Sequence, residues 1–226
     1  MLYYRTMFYR IFFILLIAFF VVTSQLRVVA STKPDVAVHY TQLARQEMSL
    51  EKRYSNKMVN DVFKDNILLT IAYMSGKVTD AKSINWDEVR TPFVYDVQLA
   101  PGEVFAFHDD VKPEYRGKSI TTTHANFNAS GGFKSDGYLY GDGVCHLASL
   151  INWAAADAGL KVLAPTNHNF AVVPEVPREY GTSIYYSPGE SAANQMQNLY
   201  VENNTGKTVH MIFRYDGEKL SVAIAK

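Results

Sequence analysis

The sequence predicts an α+β fold: a largely antiparallel sheet packed on a central helix that begins at Cys145, with N-terminal helices and an N-terminal membrane segment. Three observations carry this. First, Leu147, Leu150, Ile151, Ala154 and Ala158 recur at helical spacing and line one face. Second, short runs rich in β-branched and aromatic residues follow that helix, at 161–164, 170–173, 183–186, 199–202 and 208–214. Many strands after one helix mark α+β rather than alternating α/β. Third, residues 11–22 are apolar throughout and are preceded by Arg5 and Arg10.

That charged-then-apolar order is the order of an export signal. Val28, Val29 and Ala30 before Ser31 form a small-residue cleavage site. Counted from Met7 to Leu26, the stretch also has about the 20 residues needed to span a bilayer, with Arg10 snorkelling to the inner face. Residues 1–30 are therefore expected to be a signal-anchor or signal peptide. The N-terminus would be cytoplasmic and the rest extracytoplasmic, or secreted if the leader is cleaved. Residues 31–56 are expected to be a helical stalk or linker, and 57–226 the folded domain.

Along the chain, 31–34 is a polar joint and 35–75 reads as helical. Leu43, Ala44, Met48, Leu50 and Tyr54 lie on one amphipathic stretch; Met58, Val62, Phe63, Ile67 and Thr70 lie on a second that stops at Gly76. A break falls at 49–55. Ser83 is placed to cap a short helix over 84–89, which Pro92 ends. Residues 93–99 read as a strand, Pro101-Gly102 as a turn and 104–107 as another strand. The polar stretch 108–136 is the longest without a clear pattern, a binding-loop signature, with a strand at 120–123. Gly159 is the C′ stop of the central helix. Asp216-Gly217 joins 208–214 to 220–225 as a hairpin.

Lys plus Arg and Asp plus Glu balance at 22 each among 226 residues, so no net field argues for nucleic acid. Hydrophobic residues at 48% suffice for one core. A single cysteine excludes an internal disulfide, and an unpaired cysteine in an exported chain raises the prospect of a reactive thiol.

That cysteine, Cys145, follows Gly141-Asp142-Gly143-Val144. A thiol at a helix N-terminus sits in a positive field that favours the thiolate. The other reading is a small buried hydrophobe. His168 is the candidate base, brought back by the helix and a returning strand. Backbone N–H groups of Cys145 and His146 could then receive an oxyanion. His146 itself, adjacent on the helix, is badly placed as a base for Cys145 and is read as a cleft residue, with Asp142 and Asn169. Tyr138 and Tyr140 flank the turn, where their faces could stack on sugar rings. Glu103, between a Pro-Gly turn and an aromatic strand, could be a general acid with a raised pKa; a solvated turn glutamate is the alternative. His108-Asp109-Asp110 lacks a second cluster at ligand spacing, so neither metal nor cofactor is expected.

Gly143-Val144-Cys145-His146, Ala158-Gly159-Leu160 and His168-Asn169, at these separations, resemble the signature of the VanW-like family, named after an accessory protein of vancomycin-resistance clusters. Residues 101–108 (Pro-Gly-Glu-Val-Phe-Ala-Phe-His) resemble a second family stretch. Residues 66–72, 187–192 and 200–205 resemble others, so that the likeness spans roughly 60–215. Departures from the pattern are His146 for Gln, Asp142 for Gly, Asn169 for Ser, Gly189-Glu190 for Gly-x-Asp, and an apparent insertion over 77–95. The resemblance implies an exported, membrane-anchored cell-envelope protein with peptidoglycan or a related wall polymer as partner. Cysteine-dependent acyl transfer or hydrolysis by Cys145 and His168 is the expected chemistry. A non-catalytic wall-binding or scaffold domain and a glycan-cleaving enzyme using Glu103 are the alternatives.

Overall fold

The computed structural model describes residues 40–226. The apolar leader and residues 31–39 of the expected stalk lie outside the described residues. Among the described residues no helix is long and apolar enough to cross a membrane.

Strand β1 (Gln42–Ser49) opens the described chain. This corrects the expectation of a first N-terminal helix. Leu, Ala, Arg, Gln, Glu and Met are all good helix formers, but pairing overrides local propensity here. From Gln42 to Ser49 the strand runs antiparallel to the C-terminal strand β8 (Lys219–Ala225), so residues separated by most of the chain decide its conformation. Helix α1 (Lys57–Met74) is where the periodicity places it, capped by Asn56, whose side chain accepts from the N–H groups of Met58 and Val59. Helix α2 (Trp86–Val89) is capped by Asn85, not Ser83. Ser83 instead closes a short turn under Asp80.

Strand β2 (Phe93–Leu99) has its expected bounds. Strands β3 (Val104–Ala106) and β4 (Ile120–Thr122) are short. Helix α3 (Val144–Asp157) is the central helix, one residue longer at its start than expected. It ends in a Schellman motif. Gly159, at φ +76°, donates to Ala156, and Leu160 donates to Ala155. Then follow β5 (Lys161–Leu163), α4 (Ser191–Met196), β6 (Tyr200–Glu202) and β7 (Val209–Tyr215), the last forming a hairpin with β8.

The class is α+β, with two sheets where one was expected. The first, in order β1-β8-β7-β2, is antiparallel throughout. The second, β4-β3-β6-β5, is mixed, because β3 and β4 run parallel. Helix α3 packs on β1 and β8 and against α1. Its apolar face (Leu147, Leu150, Ile151, Ala154) is fully buried, as are Phe213, Val222 and Ile224 of the sheet. Each such Leu or Ile contributes about 2 kcal/mol through removal from water.

Two expected strands are not strands. Residues 170–173 form a loop with Phe170 and Val172 exposed, and 183–186 runs extended without a ladder. Helix α3 holds the residues just before 183–186. Ser149 Oγ accepts from the Thr182 N–H at 2.9 Å, and Asn152 Nδ2 donates to the Tyr180 carbonyl at 3.0 Å. Within 183–186 the Ser183 N–H donates to the Thr166 carbonyl, the Tyr185 N–H to the Gln197 carbonyl and the Ile184 N–H to Cys145 Sγ, so single bonds to three different segments take the place of a partner strand.

Candidate functional site

At the N-terminus of α3 a cleft of about 400 Å³ opens, a volume in the range of small-ligand sites. The turn before the helix forms its floor. Gly143 (φ +97°) and Gly141 (φ +83°) adopt the left-handed region, and each lies against another segment's backbone. A Cβ on Gly141 would sit 2.9 Å from the Phe127 carbonyl oxygen, and one on Gly143 would sit 2.7 Å from that of Phe63. Asn66, fully buried in α1, fixes the same turn. Its amide donates to the carbonyls of Asp142 (2.9 Å) and Lys134 (3.0 Å) and accepts from the Lys134 N–H (2.8 Å). Asp142, the departure from the family glycine, accepts the Asp136 N–H at 3.0 Å and so closes the turn over 136–142.

Most of the predicted site residues meet here. Cys145, His146, His168, Asp142, Tyr138 and Tyr140 all line the cleft. Asn169 and Glu103 do not. Asn169 is exposed and its carbonyl accepts from Arg178. Glu103 sits in the turn after β2, bonded to the Ser119 hydroxyl and the Ala100 N–H, and these hold its carboxyl below the usual range. A general acid needs the opposite shift, so the raised pKa expected for Glu103 is corrected.

The expected thiolate is also corrected. Cys145 keeps some surface at the cleft, yet enough protein surrounds its sulfur that burial pushes the thiol up to about 11. Its S–H points to the Ile184 carbonyl at 3.6 Å, and the Ile184 N–H donates to Sγ at 3.3 Å. The sulfur's hydrogen-bond partner is thus Ile184 and not His168. The helix field does not overcome burial. Two of the first N–H groups of the helix are taken, Val144 donating to Gly141 and His146 to Gly143, while that of Cys145 has no backbone acceptor among the described residues. The His146 N–H is therefore not available as the oxyanion donor that the sequence suggested.

His168 is held by its neighbours. A carbonyl only accepts, so the 3.0 Å contact of Nδ1 with the Ala171 oxygen puts the proton on Nδ1 and leaves Nε2 with its lone pair. Burial lowers its pKa. His146 is driven lower, to about 3, by burial first, then by the charge of Arg53 and by His168. Its ring lies 5.1 Å from Phe63 and 6.3 Å from the ring of His168. The Nδ1 atom is buried with no hydrogen-bond partner among the described residues. Both imidazoles are neutral at pH 7.

Much of the aromatic wall carries no motif in the sequence: Tyr54, Phe63, Phe170, Tyr185 and Tyr186. Tyr54 and Phe63 come from before the Cys motif and were read as helix-face residues. Phe170, Leu139, Tyr140 and Tyr138 stand exposed around the rim, Tyr138 at 92%. Exposed large apolar side chains grouped at a cleft mark an interaction site. No cluster of three metal-ligating side chains occurs among the described residues.

A family model described as VanW like protein matches residues 88–225, more than half of the chain. The chain belongs to the VanW-like family. No curated protein and no solved structure matches it. The family match contains Cys145, His146 and His168, but β1, α1, Tyr54 and Phe63 precede it. The cleft of this VanW-like protein is therefore completed from outside the matched segment, with Asn66 and Phe63 of α1 setting the turn that carries the cysteine.

Proposed function

We propose that this VanW-like protein is an exported, membrane-anchored component of the cell envelope that recognises peptidoglycan or a related wall polymer through the cleft at the start of α3. The observation that carries the binding part is the convergence of an aromatic rim on a pre-formed floor, about 400 Å³ in volume, with neutral histidines inside it. Aromatic faces suit stacking on sugar rings or apolar peptide stems. The apolar leader and the family support the envelope part. A resting thiol bonded to Ile184 favours recognition over nucleophilic catalysis.

The catalytic reading, acyl transfer or hydrolysis with Cys145 as nucleophile and His168 as base, keeps one observation in its favour. Both side chains line the same cleft, and His168 carries its lone pair on Nε2. Retention of the full chain, purified in mild detergent, on isolated wall sacculi tests the proposal. Wild type and Cys145→Ser are expected to be retained equally, and Tyr138→Ala with Tyr140→Ala to be released. No retention of wild type would overturn the proposal. Bond cleavage in the sacculi that disappears in Cys145→Ser would restore the catalytic reading.

A further inference from the structure

The charge of the cleft says what its ligand carries. Two carboxylates, Asp136 and Asp142, line it, and no lysine or arginine does. The cations around it are committed elsewhere. Lys134 bonds Asp65 at 2.5 Å and lies 4.0 Å over the Trp86 ring. Arg53 has its side chain fully buried and paired with Glu175 at 2.6 Å. Of the N–H groups that would draw an anion to a helix N-terminus, those of Val144 and His146 are already bonded, which leaves the single N–H of Cys145.

We propose that the cleft receives an aliphatic ammonium group of its ligand, held by the Asp136 and Asp142 carboxylates and by the faces of the surrounding tyrosine and phenylalanine rings. Ring faces carry negative potential and attract cations, more strongly when water is excluded. His146 adds a second, independent feature. It is 97% buried by surface, it lines the cleft, and its Nδ1 lacks a partner. A buried polar atom without a partner costs free energy unless something fills the vacancy, and a ligand N–H group or carbonyl would do so according to the tautomer. Burial also holds the Asp142 carboxyl above its usual range, a penalty that an incoming cation relieves. Anionic ligands meet two like charges and no free donor cluster.

This inference rests on the cleft being a ligand site, but it does not require the ligand to be wall polymer. The test is an NMR titration of the full chain with Nα-acetyl-lysine methylamide, its Nε-acetylated analogue and Nα-acetyl-glutamate methylamide. The first carries an ammonium, the second is neutral and the third anionic. The ammonium probe is expected to bind about tenfold tighter than the neutral one, shifting tyrosine signals. Asp136→Asn with Asp142→Asn is expected to abolish that preference while leaving the melting temperature unchanged; the new amide oxygen at 142 can still accept the Asp136 N–H. Equal binding of ammonium and acetylated probes, preference for the anion, or no binding by any of the three would overturn the inference. Sacculi whose free amines have been acetylated separate it from the wall reading. Undiminished retention on them sinks the ammonium site and keeps the wall partner. Binding of the ammonium probe without retention on untreated sacculi does the reverse.

Discussion

Gly143 and Phe63 touch backbone to backbone: a Cβ added to the glycine would lie 2.7 Å from the phenylalanine's carbonyl oxygen and 3.0 Å from its Cα. Neither backbone atom can swing aside as a long side chain could. The glycine also holds φ +97°. Gly143→Ala is therefore expected to cost about 3 kcal/mol in chemical denaturation, from left-handed strain plus the clash. Gly137, at φ +122° with nothing within 4 Å, isolates the strain alone. Gly137→Ala is expected to cost about 1 kcal/mol. Equal losses would show that contact with α1 does not set the turn.

The Cys145 thiol predicts a pH window. A folded pKa of about 11 lies above that of the free group, so the folded state holds the proton more tightly than the unfolded chain does. Stability from this group is full below the unfolded pKa, near ~8.5, and is lost as pH rises toward 11. Cys145→Ser should flatten the decline between those limits relative to wild type. Alkylation of the native protein at neutral pH should be slower than that of the denatured chain, and a faster native reaction would return the thiolate to consideration. Cys145→Ala, which leaves the Ile184 N–H without its acceptor, should cost about 1–2 kcal/mol more than Cys145→Ser.

How legible the molecule was depended on the range of the forces involved. The central helix, its glycine stop, β2 and the final hairpin follow from local pattern, and the structure has each of them. Strand β1 was illegible because Gln42–Ser49 reads as a helix and becomes a strand only against β8, at the far end of the chain. Residues 183–186 misled for the converse reason: the local pattern is that of a strand, but the Thr166 and Gln197 carbonyls and the Cys145 sulfur take its backbone N–H groups one by one. In the site, the glycines, Cys145 and His168 named from the sequence line one cleft, while Tyr54 and Phe63 arrive there by tertiary packing. Asn66 did leave a signal, an amide at helical spacing with Val62, Phe63 and Thr70 on the buried face of α1.

His146 predicts acid sensitivity. Its folded pKa, about 3, is depressed far below the ~6.5 of a free histidine. Between these values the unfolded chain binds the proton and the folded one does not, so stability present above 6.5 is lost as pH falls toward 3. The slope from one such group approaches about 1.4 kcal/mol per pH unit. Burial depresses His168 in the same direction. His146→Gln, which restores the residue seen in the family pattern, is expected to remove most of the slope above pH 4.5 in acid titrations followed by circular dichroism. An unchanged slope would assign the acid sensitivity to other groups.

The loop that carries His168 is tied down by Glu175. Its carboxylate accepts from the Arg53 guanidinium at 2.6 Å and from the Ser49 N–H at 2.9 Å, and Arg53 also donates to the Pro174 carbonyl at 3.0 Å. Glu175 holds this position at φ +69°, a conformation that costs a non-glycine residue about 1–2 kcal/mol. The tie must outweigh that cost. Arg53 is fully enclosed, so losing the carboxylate strands a buried charge, while the half-exposure of Glu175 lets water screen part of the loss. Glu175→Ala is expected to cost about 2 kcal/mol and to loosen residues 165–182. Arg178 lies in that stretch, so trypsin cleavage after it reports the loosening directly. Glu175→Gln retains an acceptor without the charge and should be cleaved at an intermediate rate. Cleavage of Glu175→Ala at the wild-type rate would mean that the histidine's loop is held by its own turns, such as the His168–Gly181 backbone bond of 3.2 Å, and not by the link to Arg53.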